Sequence, residues 1–339
     1  MKKALFCLAL FGLVALLVVP LASAERKTEL KDWVLTLPDK DKPSKDIEIP
    51  VVYMNISHPF AGLIKQGVDA AAKEYGVKAY ITGPTDWATD AQVNVIENLI
   101  AKKVDAMSIA VLDIPGMTPV IQKALKAGIP VTCFNVDAPE SGRLSFTGED
   151  LFKAGAATAE TLVKHMGPKG KIMVSCVSLS AVWSLKREEG VMSVLNKYPD
   201  IEIVDRVNAS GDEQAQYAAM ENSLMAHPDL NGMISFGGTQ FIFARLLENK
   251  GVGNLDSDKP IYNTGHDLFE EKLTQVKNGW ATAAFGQNPY EQGYQAVKQL
   301  VEFMMKDVKP YDIDTGVIEV DKSNVDKFLK DLADGKPVG

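Results

Sequence analysis

Polar and ring-bearing side chains collect at the ends of a series of short apolar runs in this chain, and they are the residues whose types could do chemistry. The first run leads into Asn55-Ile56-Ser57-His58-Pro59-Phe60, and a later one ends in Phe134-Asn135-Val136-Asp137. Others precede Trp183 and Arg187, Phe236-Gly237-Gly238-Thr239-Gln240, Gly265-His266-Asp267 and Phe285-Gly286-Gln287-Asn288. Flat rings can cover an apolar C–H face, while carboxylate, amide and guanidinium groups serve neighbouring hydroxyls as acceptors or donors. Such a mixture suits a carbohydrate or polyol. In a dry cleft an analogue lacking one hydroxyl would leave a protein group unpaired, at a cost of about 1–3 kcal/mol. The expected ligand-binding set is Asn55, His58, Phe60, Asn135, Asp137, Trp183, Arg187, Gly238, Gln240, Asp267 and Gln287.

Plainer roles compete for several of these. His58 either meets a ligand or orders its own loop before Pro59, and Phe60 either stacks on a ligand or fills core. Arg187 has Glu188 and Glu189 beside it, so a surface ion pair is its alternative role. Asp267 could cap a helix starting at Leu268. Trp183 and Trp87 either line the cleft or act as lids or partner contacts, and Asp113 is a weaker candidate. Met107, Met192 and Met233 read as core.

Catalytic motifs are missing. No G-x-G-x-x-G opens a helix, and there is no G-K-[ST] loop and no G-x-S-x-G elbow. His58, His165, His227 and His266 lack metal-ligand spacing, and no C-x-x-C occurs. No enzyme activity, cofactor or metal is expected.

These positions need a frame, and the pattern supplies a parallel α/β one. Strands are read over 49–55, 77–82, 106–111 and 129–135, with helices at 61–75 and 90–101 between them. A further helix is capped by Thr118 with Pro119 at its first position. After Gly167 the rhythm restarts, with strands at 171–177, 201–207, 232–236, 261–264, 281–286 and 316–320. Helices at 184–198, 212–226, 240–249, 268–278, 290–305 and 324–332 accompany them. Strand-helix-strand repetition implies right-handed crossovers and a sheet covered on both faces. Ala91-Gln92 with Glu97-Asn98 recurs as Ala215-Gln216 with Glu221-Asn222, which suggests two similar lobes.

Residues 1–24 read as a secretory signal peptide: Lys2 and Lys3, an apolar stretch from Leu5 to Val19, then Ala22-Ser23-Ala24. Cleavage there moves the formal charge from −8 to 34 − 44 = −10, which repels nucleic acid and anionic lipid. Glu25 rather than Cys follows the cut, so no lipid anchor is indicated. Residues 25–46, rich in Lys and Asp, read as a tether. Cys133 and Cys176 lie in strand-like runs of different lobes, and an oxidising compartment would allow them to pair.

The ordered set of cleft residues resembles the ribose-binding-protein-like (type I) periplasmic sugar-binding proteins of ABC importers, over about 47–320. Asn55 to Phe60 resembles that family's N-P-F stretch, and Arg187 before Glu189-Gly190 its sugar-binding arginine. Gly265-His266-Asp267 is similar to its G-F-D, and Gln287 to its late glutamine. Asn135 stands where the family has Asp, His58 replaces an Asn, His266 a Phe, and Gly237-Gly238 an Asn-Asp pair. The Gly83-Pro84-Thr85 loop is closer to the rhamnose and autoinducer-2 branch. The resemblance implies two doubly wound parallel-sheet lobes joined by a three-strand hinge: 47–149 with 288–316, and 150–287 with 317–339. It implies a monomer that binds a sugar or polyol in the periplasm, closes on it and meets an ABC permease. An autoinducer-2 or signalling-ligand receptor feeding a chemoreceptor is the alternative. A secreted α/β enzyme ranks below both.

Overall fold

Apolar runs rich in Val, Ile and Met form strands here because β-branched side chains fit a pleated surface buried on both faces. The computed structural model describes residues 25–179, 181–210 and 212–338, and the expected leader lies outside them. The chain begins with a hairpin of β1 (Arg26–Leu30) and β2 (Trp33–Leu37). A first α/β unit follows: β3 (Glu48–Val52), α1 (Pro59–Tyr75), β4 (Lys78–Thr82), α2 (Thr89–Lys102), β5 (Met107–Ile109), α3 (Ile114–Lys126), β6 (Val131–Phe134) and β7 (Phe146–Gly148). The second unit holds α4 (Leu151–Met166), β8 (Lys169–Cys176), α5 (Val182–Leu195), β9 (Asp200–Asn208) and α6 (Glu213–Ala226). It continues with β10 (Gly232–Ser235), α7 (Gln240–Lys250), β11 (Tyr262–His266), α8 (Glu270–Lys277) and β12 (Ala283–Gly286). The chain then supplies α9 (Pro289–Lys306), β13 (Ile313–Asp314), β14 (Ile318–Asp321) and α10 (Val325–Ala333).

The two large sheets run β4-β3-β5-β6-β7-β13 and β9-β8-β10-β11-β12-β14. Numbered by appearance, both read 2-1-3-4-5-6, so the lobes are topological copies. The helices carrying the Ala-Gln echo, α2 and α6, are equivalent elements in them. One asymmetry remains, since β13 pairs parallel to β7 whereas β14 pairs antiparallel to β12. The chain passes between sheets after β7, between β12 and α9, and between β13 and β14. These passages are tied together: Thr315 donates its N–H to the Gly148 carbonyl at 2.9 Å and its hydroxyl to the Gln287 carbonyl at 3.1 Å.

Close helix pairs brace each lobe. A Cβ on Gly67 of α1 would lie 1.9 Å from the Tyr290 carbonyl of α9, and one on Gly155 of α4 would lie 1.9 Å from the Arg187 carbonyl of α5. Only glycine permits that approach.

Residues 25–46 are not a tether. Leu35 and Leu37 of the hairpin are buried in the first lobe's core, and Trp33 donates its indole N–H to the Gly142 carbonyl at 2.9 Å. Arg26 pairs with Asp307 and reaches the Met304 carbonyl at the end of α9. The helix expected from Thr118 starts earlier, with Asp113 as its cap accepting from the Gly116 N–H at 2.7 Å. Pro119 therefore sits inside α3. Cys133 and Cys176 are both free and buried, one in each lobe's core, and burial raises both thiol pKa values. Between Asp137 and Gly167, where no element is expected, lie β7 and α4.

Candidate ligand site between the lobes

Open parallel sheets bind ligands outside the carboxyl ends of their strands. Asn135 and Asp267 hold equivalent places there, directly after β6 and β11. Both adopt left-handed backbone, φ 61° and 75°, a conformation that for a non-glycine residue marks a position held by its surroundings. A single amide joins them. Gln287, at the passage between β12 and α9, donates Nε2 to Asp267 Oδ1 at 2.7 Å and accepts from Asn135 Nδ2 at 3.1 Å. Asn135 Nδ2 also donates to Gln292 Oε1 at 3.0 Å.

The polarity of this chain follows from its one carboxylate. An ionised Asp267 can only accept, so the NH2 of Gln287 must face it and the Gln287 oxygen must face Asn135. Asn135 then turns its own NH2 inward. Asn135 Oδ1 and Asp267 Oδ2 are left without protein partners among the described residues, and neither oxygen is sealed off. Gly238 keeps Asp267 Oδ2 uncovered, since a Cβ there would lie 3.4 Å from that oxygen.

Rings form the opposite wall. Tyr53, following β3, packs its ring against Phe60 at 6.1 Å and Phe134 at 6.4 Å. Burial raises its phenol pKa; the Asp267 carboxylate adds to that and Arg187 opposes it. Phe60 and Tyr53 are each 3% exposed and both belong to the first lobe's core. His58 caps α1, its Nδ1 accepting from the Phe60 N–H at 3.3 Å, and meets the exposed Trp87 edge-on at 5.5 Å. Burial lowers its pKa against the pull of Asp267, so near neutral pH it is an uncharged ring. Asn55 is buried, with Oδ1 accepting from the Ser57 N–H at 2.9 Å. Trp183, at the start of α5, packs against the cores of both lobes.

Arg187 is neither a surface ion pair nor an unoccupied ligand cation. It is 3% exposed, and its Nε and Nη2 both go to Glu149, a carboxylate at the first passage that is itself buried. Its Nη1 donates to the Phe236 carbonyl at 2.7 Å, and Trp183 lies 5.8 Å from its guanidinium carbon. Three of its five N–H groups are thus spent on the protein. Glu149 keeps one buried oxygen, Oε2, without a partner among the described residues, and burial raises its pKa against the pull of Arg187.

Two expected residues face elsewhere. Asp137 is taken by Arg143, at 2.8 and 2.6 Å, in a cluster completed by Asp312. Gln240 is wholly buried under the strand ends, its Nε2 donating to the Asn263 and Ala283 carbonyls at 2.9 Å each. Asp267 caps no helix, because α8 begins at Glu270. A surface hollow of about 540 Å³ between α7 and α8, lined by Arg245 and Glu271, contains none of the expected residues.

Tyr53, Glu149 and Gln292 are the site residues that sequence reasoning missed. Gln292 had a signal, since Gln292, Gln295 and Gln299 recur along one face of α9 and all are buried.

Comparison with known proteins now gives the class. A sequence profile described as periplasmic binding protein domain matches residues 49–307, and the chain belongs to that family. A xylose/arabinose-binding protein of Sulfolobus acidocaldarius is 24% identical over 296 residues, 82% of this chain and 72% of that protein. The ribose import binding protein of Bacillus subtilis is 23% identical, over 74% of this chain and 80% of its own. Among solved structures, an ABC transporter solute-binding protein from Burkholderia graminis in complex with D-arabinose is 30% identical with a TM-score of 0.78, covering 84% of this chain and 98% of that one. A glucose-galactose binding protein from Geobacillus stearothermophilus is 25% identical, TM-score 0.75, over 82% and 98%. The chain therefore belongs with the sugar-binding proteins of ABC transporters as a family and has their type I fold, and its relatives are transport proteins and not enzymes.

Proposed function

We propose that this chain captures a neutral monosaccharide or a related polyol between its lobes in the periplasm, and that the closed complex is what a membrane permease recognises. The observation that carries this reading is the Asn135–Gln287–Asp267 chain, which spans both lobes. Its two free oxygens only accept when Asp267 is ionised, so the ligand must donate to both, as adjacent hydroxyls do and as a fully ionised anion cannot. Tyr53 and Trp183 supply apolar faces beside them. Arg187, with two N–H groups left, and His58 Nε2 complete the polar shell.

Because each lobe contributes part of that shell, ligand favours the closed arrangement by its differential affinity, and the three passages bend without unfolding. Residues 1–24 direct export in this reading. A thermal-shift screen with D-arabinose, D-xylose, D-ribose, D-allose, xylitol and autoinducer-2, followed by calorimetry, tests it, since bound ligand raises the melting temperature by mass action. At least one sugar should bind and reduce the radius of gyration in small-angle scattering. Absence of binding to every sugar, or turnover of one, would refute the proposal.

A further inference from the structure

Asp267, in the proposed ligand site, adopts a left-handed backbone (φ 75°) that a non-glycine residue holds only where its surroundings impose it. A lysine sits behind it. Lys272, on the first turn of α8, is wholly buried and turns its ammonium back onto the His266 carbonyl, the oxygen of the very peptide that joins His266 to Asp267. Packing does not explain this arrangement. A buried ammonium is costly, and one carbonyl meets only one of its three donors.

The groups facing Lys272 are few. The Asp267 carboxylate supports its charge, the Arg187 guanidinium opposes it, and the His266 ring lies beside it. Charged residues on the elements packed around α8 are engaged away from it: Arg245 of α7 with Glu213 and Glu271, Asp326 of α10 with Lys277, and Glu319 of β14 with Thr161. Strand β12 carries no titratable side chain.

We propose that Lys272 is a positioning residue of the ligand site: its ammonium pins the His266–Asp267 peptide and keeps the carboxylate aimed at the ligand, so affinity depends on the lysine's charge. This rests on the cleft being the sugar site. Burial pushes the Lys272 ammonium down to about 8, within reach of an ordinary titration. His58 and His266 are both held below the usual histidine value, so neither titrates above pH 7. Affinity for ligand should then fall as pH rises through about 8. Fold stability should move the other way between about 8 and 10.5, where the unfolded lysine holds a proton that the folded one has released. Opposite slopes are a signature that a purely structural lysine would not give.

The test is calorimetry with whichever of D-arabinose, D-xylose, D-ribose and D-allose binds most tightly, from pH 6.5 to 9.5. Lys272→Met should bind about tenfold more weakly at pH 7, the loss typical of a charged hydrogen bond, with a flat profile. Lys272→Gln keeps a donor without the charge, and should fall between the two with an equally flat profile. The unsubstituted protein should approach the Met variant's affinity at the alkaline end. Undiminished affinity in Lys272→Met overturns the inference. So does a flat profile in the unsubstituted protein, which decides the matter even if the Met variant does not fold. A protein that binds no sugar at any pH would sink the cleft reading itself, and this inference with it; binding with a flat profile sinks the inference alone.

Discussion

His266 is 1% exposed and neither of its ring nitrogens has a hydrogen-bond partner among the described residues. A neutral imidazole carries one donor and one acceptor, so two polar groups are orphaned in the second lobe. Each orphan costs about 1–3 kcal/mol. His266→Phe removes both while keeping a flat ring beside Phe285, whose centroid is 6.2 Å away. The extra ring volume returns about 1 kcal/mol of crowding. The variant should therefore gain about 1–5 kcal/mol, at roughly 2–4 °C in melting temperature per kcal/mol for a lobe of this size. The pH dependence is the sharper test. Burial, with Arg187 and Lys272 nearby, holds the His266 pKa well below 6.5. Below pH 6.5 the unfolded chain takes up a proton that the buried ring refuses, so stability falls as pH falls, by up to about 1.4 kcal/mol per unit. His58, whose pKa is also lowered, contributes with the same sign. Chemical denaturation at pH 5, 6 and 7 should show a smaller acid loss in His266→Phe. A variant less stable than the parent, or one with an unchanged acid slope, would refute the reasoning.

Arg187→Ala should cost about 3–5 kcal/mol in a denaturation midpoint, because it strands the buried Glu149 carboxylate; an intact midpoint with weaker binding would instead make Arg187 mainly a ligand contact. Trp33→Ala should destabilise the first lobe by about 2–3 kcal/mol and speed proteolysis of the N-terminal hairpin, whereas a true tether would tolerate it without change. Gly67→Ala should lower the melting temperature despite alanine's better helix propensity, since its methyl would meet the Tyr290 carbonyl; the crowding costs about 1–3 kcal/mol or more, and an unchanged melting curve would mean that α1 and α9 can separate freely.

Local patterning made the lobes legible. Apolar runs with Gly76, Gly128 and Gly167 as stops marked most strands and helices, and the Ala-Gln echo fell on equivalent helices. The hairpin was misread although Trp33, Leu35 and Leu37 alternate in the way a half-buried strand does. The Lys- and Asp-rich residues around them outweighed that period of two. In the site, the residues read correctly as strand-end groups are those whose partners also sit at strand ends, such as Asn135, Asp267 and Gln287. Others have protein partners that proximity in sequence could not reveal or did not suggest. Arg187 finds Glu149 38 positions away, and Gln240 turns under the sheet to reach Ala283. Asp137 is two residues past Asn135, yet it is claimed by Arg143.

Thr315 grips the other two passages at once, through Gly148 and Gln287. A bundle stitched in that way offers rotation about one shared axis instead of three independent swivels. The same Gln287 whose carbonyl receives the Thr315 hydroxyl also holds Asn135 and Asp267 with its side chain. In the proposed closure, any turn about that axis would therefore tug on Asn135 and Asp267, the ligand's proposed anchors, with no messenger needed in between.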